Sequence, residues 1–230
     1  MKIYLPILLL LVACSHSSQQ KPRPKAAAAA TPVLSKAPLN YDSCKAVVIH
    51  TRRSHRADWS RIPRIEKEKI FTDAIISNII PAWVGTSWSF NGTSEKPREG
   101  SIACGYFVTT VLRDAGVSLA RTKLAQCASE QMIRSLVQPA HVQRFSNLPM
   151  EIFIRSVQDQ GYGLYIVGLD NHTGFIYNDG KSIFFIHSTF VGTRNVQYEP
   201  AAESWVLRQS RYKVLGKLSA DEGILSAWVN

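Results

Sequence analysis

The sequence predicts an α+β domain, N-terminal helices packed on a C-terminal antiparallel β-sheet, and two observations carry that prediction. Up to Gly161, apolar residues recur at three- and four-residue intervals in several segments, the spacing that gathers them on one face of a helix. Beyond Gly161, β-branched and aromatic residues crowd into short runs, two of them joined by Asn178-Asp179-Gly180, a composition that closes hairpins. Helices first and strands afterwards is the order of an α+β domain.

The chain opens with MKIYLPILLLLVA, residues 1–13, one Lys followed by an apolar run from Ile3 to Ala13. Such a run is too short to span a bilayer and long enough for the core of a signal peptide; an uncleaved apolar N-terminus is the plainer alternative. Leu11-Val12-Ala13-Cys14 resembles the bacterial lipobox, and the resemblance implies cleavage before Cys14 and lipid on its thiol, which anchors a chain stably to a membrane. The expected location is therefore the cell envelope. Ser15 in place of Asp after Cys14 implies the periplasmic face of the outer membrane if the source is Gram-negative.

Residues 14–40, rich in Ser, Gln, Pro, Ala and Lys, offer little apolar surface to bury and read as a tether. Residues 41–230 remain as one domain with a sizeable core, without a second linker or internal repeat. The formal net charge of +10 favours anionic surroundings such as lipid headgroups or wall polymers. Nucleic acid is the weaker reading, because an exported chain rarely meets it and no nucleic-acid fold signature appears.

Within the domain, His50 and His55 lie in a basic stretch with Arg52, Arg53 and Arg56 that reads as a solvated face. Residues 64–81 have apolar residues near helical spacing and are expected to form a helix closed by Pro81. Residues 82–100, full of Gly, Ser, Asn and Pro with three aromatics, read as a loop that displays side chains. In residues 101–117, Cys104, Phe107, Val108, Val111, Leu112 and Ala115 mark a short amphipathic helix stopped by Gly116, with Cys104 in its first turn. Residues 124–137 and 148–161 are expected as two further helices, the second ending at Gly161. Residues 163–169, 172–178, 182–190 and 204–218 are the β-rich runs.

A thiol becomes a strong nucleophile when held as thiolate, which a helix N-terminus and an imidazolium neighbour both favour. Cys104 meets the first condition. His172 opens a strand after the turn-like Gly168-Leu169-Asp170-Asn171, a position from which a ring reaches a cleft beside a helix tip. His187, one hairpin later, is placed to orient that ring as the third member of a triad. A zinc centre built from Cys104, His172 and His187 is the competing reading, but no histidine pair at helical spacing and no paired cysteines support it, so no metal or organic cofactor is expected. Cys127, read as mid-helix, is not the nucleophile. Cys44 and Cys127 either pair as a disulfide, which an exported chain permits, or stay as two separate thiols.

The block from Gly85 to Ser94, then IACGYFVTTVLRDAGV, then HTGFIYNDGKSIFFIHSTF, resembles the NlpC-type cell-wall cysteine peptidases, a papain-like family, over residues 83–189. The resemblance implies a papain-like fold with Cys104 as nucleophile, His172 as general base and His187 as orienting residue. It sets Trp88 where the family has a Tyr near the oxyanion site, and makes the Cys104 backbone N–H an oxyanion donor. Ala103, Gly105 and Tyr106 depart from the family's Asp before the Cys and Ser-Gly after it. The expected activity is cleavage of an amide in peptidoglycan stem peptides, with the loop from Trp83 to Phe90 as one wall of the groove and residues 127–161 as the other. Two rivals stand beside it: a non-catalytic papain-like shell that binds wall peptides or an envelope protein, and an amidase or acyltransferase acting on other lipid or peptide amides.

Overall fold

The computed structural model describes residues 40–230; the expected signal peptide, the Cys14 anchor and the tether up to residue 39 lie outside them. No helix among the described residues is long and apolar enough to cross a membrane. The architecture is α+β, with helices and a six-stranded antiparallel sheet.

The basic stretch read as a solvated face belongs to a helix, α1 (Tyr41–Arg56), whose N-terminus is capped by Asn40 accepting from the Ser43 N–H at 3.1 Å. Only Val48 of α1 is buried; His50, Arg53 and Arg56 are exposed as expected, whereas Arg52 is half-buried and donates to the Trp228 carbonyl. Buried polar contacts dock it: the Tyr41 hydroxyl donates to Asp114 at 2.7 Å and accepts from the Trp83 indole at 2.8 Å. The helix expected to stop at Pro81 runs on to Trp83 as α2 (Arg64–Ala74), a π turn (Ile75–Ile79) and α3 (Ile80–Trp83). The π turn hands the Ile80 N–H to the Ile75 carbonyl, and Pro81, which has no N–H to give, falls in the first turn of the next segment where none is required.

α4 (Cys104–Asp114) begins and ends as expected, with Gly116 at φ +97° behind it. The single helix expected over 124–137 is instead two, α5 (Arg121–Ala125) and α6 (Ser129–Leu136), broken at Gln126–Ala128. The Ala125 carbonyl lies against Gly105 of α4, 2.2 Å from where a Cβ would stand, and the chain turns away there, so Cys127 occupies a bend. An edge strand, β1 (Val142–Ser146), precedes α7 (Met150–Gln160), which closes at Gly161 with φ +78°.

The expected strands appear as β2 (Gly163–Leu169), β3 (Thr173–Asn178) and β4 (Ile183–Ser188). β5 (Val196–Pro200) follows. The last β-rich run divides into α8 (Trp205–Gln209), capped by Ser204, and β6 (Tyr212–Lys217). A helix, α9 (Glu222–Val229), ends the chain. The sheet order is β1-β6-β2-β3-β4-β5, antiparallel throughout.

Both faces of the sheet are covered, so the central strands are buried from end to end and alternate between two cores rather than between core and water. Leu164, Ile166, Phe175, Phe184 and Ile186 face one core with Phe71, Phe107, Val111 and Trp228 from α2, α4 and α9. Tyr165, Val167, Ile176 and Phe185 face the other, covered by Phe153 and Val157 of α7 and Leu207 of α8.

Candidate active site

The segment that delivers Cys104 is gripped on three sides. The Ile102 N–H donates to the Ser87 carbonyl at 2.9 Å and the Ala103 N–H to the Gly92 carbonyl at 2.8 Å. The buried Ser188 hydroxyl, at the end of β4, donates to the Ile102 carbonyl at 2.6 Å. Gly92 is required at that crossing, since a Cβ there would stand 2.6 Å from the Ile102 nitrogen. The glycine loop is therefore the clasp that sets Cys104 at the first position of α4. Ala103 offers no capping side chain, and the first N–H groups of a helix have no partner within it, which leaves them for a ligand.

His172 sits between β2 and β3, its turn closed by the Leu169 N–H donating to the His172 carbonyl at 2.8 Å. Asp170 pins that turn to the start of β6, accepting from the N–H groups of Arg211 at 2.7 Å and Tyr212 at 3.1 Å and from the Ser210 hydroxyl at 3.1 Å. Those donors hold its carboxyl below the ordinary carboxylate range.

Behind His172 runs a hydrogen-bonded chain. Its Nε2 lies 2.8 Å from Nδ1 of His187 on β4, and Nε2 of His187 lies 3.2 Å from Oε1 of Glu199 on β5. His187 opposes Gln197 in the β4–β5 register and Phe185 opposes Glu199, so His187 and Glu199 are diagonal neighbours on one face. Gly174 makes room for this stack: a Cβ there would stand 2.8 Å from the His187 Cβ and 2.7 Å from the Phe185 ring, which itself stacks on His187 at 3.9 Å.

The carboxylate sets the proton positions. Burial raises the Glu199 pKa, but hydrogen bonds from His187 and Ser204 more than offset it and leave the carboxyl below its usual range. An ionised Glu199 can only accept. His187 then donates from Nε2 and accepts at Nδ1, His172 donates from Nε2, and the lone pair of His172 is left on Nδ1.

Both rings are neutral at rest. Burial, and secondarily the neighbouring His187, pushes His172 down to about 3, and burial lowers His187 despite the pull of Glu199. The helix position of Cys104 favours a thiolate, but burial opposes it. Burial raises Cys104 above its ordinary value, against the opposing pull of the N–H groups of Thr173, Gly105 and Cys104 itself. A neutral thiol and a neutral imidazole make a general-base pair in which charge appears only as a bond forms.

Cys104 and His172 share two recesses. The larger, 660 Å³, also holds Trp88, Phe90, Tyr106 and Phe190; the smaller, 260 Å³, also holds Cys127, Ser129, Met132 and Asp170. The structure thus brings Cys104, His172 and Trp88 to one cleft and puts His187 directly behind His172. Trp88 stands in the wall, its ring 5.9 Å from Phe190 and 5.0 Å below the Arg194 guanidinium. Of the expected second wall, residues 127–161, only Cys127, Ala128, Ser129 and Met132 line either of these two recesses.

Cys44 and Cys127 are not paired; both are free thiols. Cys44 stands in the first turn of α1, whereas Cys127 sits in the bend beside Cys104, its thiol donating to the Leu124 carbonyl at 3.2 Å. Among the described residues, no three His, Cys, Asp or Glu side chains converge as a metal ligand set. Glu199 was not anticipated; the signal in the sequence was a lone acid before Pro200 in a run not read as a strand. Comparison of the chain with family models, with curated proteins and with solved structures finds no match to any of them.

Proposed function

We propose that this chain is a cysteine hydrolase of papain-like design, working through Cys104, His172 and His187 and held in the cell envelope by lipid on Cys14. The observation that carries the reading is the hydrogen-bonded run Glu199–His187–His172, which leaves an unprotonated nitrogen on the one ring that shares its cleft with a helix-terminal thiol. Nδ1 of His172 takes the proton as the Cys104 sulfur attacks the substrate carbonyl. The carbon–nitrogen bond breaks, His172 returns the proton to the departing amine, and a thioester remains on Cys104. Water then attacks the thioester, releasing a carboxylate and restoring the thiol. The Cys104 N–H is the oxyanion donor, and Trp88 acts as substrate-facing wall with its indole N–H as a second donor.

The substrate we propose is an amide of peptidoglycan stem peptides, which the NlpC-type resemblance implies. Detergent-solubilised full-length protein and its Cys104→Ala variant, incubated with muropeptides, test it by mass spectrometry. Fragments from the wild type alone support the proposal and their masses name the bond. Intact muropeptides in both samples reject the peptidoglycan substrate. The second reading, an amidase or acyltransferase on other amides, is favoured by one observation: no Asp, Glu, Lys or Arg lines the larger recess.

A further inference from the structure

The larger recess has a chemistry of its own. Phe90 stands 83% exposed and Phe190 39% exposed, and both line this recess, so its mouth offers aromatic faces to an incoming apolar group. Phe190 lies with its ring edge-on to His172 at 5.8 Å and tilted against Trp88 at 5.9 Å, so one continuous aromatic wall runs from the rim to the base. Two cations border it through its aromatic rings: Arg194 lies over Trp88, and Arg121 lies over Tyr106 and donates to Thr110, to the Thr93 and Ser94 carbonyls and to Glu95. A substrate carboxylate entering this recess would lose water and meet no cation among the residues that line it, which is unfavourable. An apolar chain loses nothing and removes the aromatic faces from water.

We infer that this recess is the subsite for an uncharged apolar chain adjoining the scissile carbonyl, so that the preferred substrate is an amide or ester whose acyl part is aliphatic or aromatic and carries no charge there. The inference rests on the thiol-hydrolase reading but not on peptidoglycan as substrate. Each further CH2 that enters such a site is worth roughly fourfold in kcat/KM.

The test is a series of p-nitrophenyl esters with acetyl, butanoyl, hexanoyl, phenylacetyl and anionic succinyl groups, each rate divided by that of the same ester with hydroxide. Full-length protein, Cys104→Ala and Phe90→Ala/Phe190→Ala are compared in the same detergent, so that partition into micelles cancels in the ratios. The expected hexanoyl-to-acetyl ratio is at least about tenfold for the wild type and several-fold smaller for the double variant, with succinyl below butanoyl. Hexanoyl above phenylacetyl points to a fatty acyl chain, and the reverse order to an aromatic side chain of a peptide; either supports the subsite. A ratio near one, or succinyl equal to butanoyl, overturns the subsite while Cys104-dependent turnover leaves the thiol reading standing. No Cys104-dependent turnover of any ester overturns both.

Discussion

Replacing Glu199 separates the charge at the end of the hydrogen-bonded chain from the proton positions that the charge imposes. Glu199→Gln keeps an oxygen within reach of His187 Nε2, which now lies 3.2 Å from Oε1, and removes the negative charge. A hydrogen bond to a charged partner is worth about 1.5–3 kcal/mol and a neutral one about 0.5–1.5 kcal/mol. The difference, about 1 kcal/mol, falls on the state in which His172 carries the proton, and corresponds to roughly a fivefold loss in kcat. Glu199→Leu removes the acceptor as well. The His187 proton then moves from Nε2 to Nδ1 and is donated to His172 Nε2, which moves the His172 proton to Nδ1, the atom that must receive the thiol proton. General-base catalysis is worth about 10²–10⁴, so kcat falls on the order of a hundredfold or more, with KM little changed because Glu199 is not among the cleft-lining residues. The assay is kcat and KM on the best ester, with nitrogen NMR of the two histidines to read their tautomers and Tm to monitor the fold. A Glu199→Leu enzyme within twofold of wild type, or one whose loss follows its Tm while the tautomers stay as in wild type, refutes this assignment.

Gly174→Ala places a Cβ 2.8 Å from the Ile186 carbonyl and the His187 Cβ; because backbone must yield, a stability loss of about 1–3 kcal/mol is expected in chemical denaturation, with a larger proportional loss of activity as His187 leaves His172. Stability also depends on acid: His172, lowered by burial to about 3 from an unfolded value near 6.5, binds its proton in the unfolded state first. The stability it contributes is complete above pH 6.5 and is lost as pH falls from there toward 3, at up to about 1.4 kcal/mol per pH unit, and His172→Gln should flatten that slope in denaturant titrations. Because burial raises the Cys104 pKa, iodoacetamide should modify the resting thiol slowly at neutral pH and faster well above pH 9; rapid alkylation at pH 7 with an apparent pKa below 6 would show a preformed thiolate instead.

Much of the site was legible because its main signals are local. Cys104 advertises itself by apolar residues at helical spacing after it, and His172 and His187 by their places at the start of one strand run and near the end of the next. Glu199 was hidden because its role exists only in the β4–β5 register: Val196–Pro200 has half-buried Gln197 and Glu199 alternating with buried Val196 and Tyr198, a pattern shared with any edge strand. α1 was missed for a related reason, since a helix that buries only Val48 has almost no apolar stripe to read. Cys127 was misplaced because periodicity ran on through residues 124–137, while the close approach of Ala125 to Gly105 that breaks the helix is a tertiary contact. The balance at Cys104 was not legible either: the helix amides pull on the thiol as its position suggests, but burial, which exists only in the fold, pulls harder.

The most direct test of Cys104 as nucleophile and His172 as base is rapid-quench mass spectrometry of the full-length protein turning over an activated ester. The expected result is one acyl group per chain on the peptide containing Cys104, formed and lost at the rate of turnover, absent in Cys104→Ala and formed about a hundredfold or more slowly in His172→Ala. Product released by Cys104→Ala at the wild-type rate, or an acyl group accumulating on Cys127 or Cys44 with none on Cys104, would contradict it.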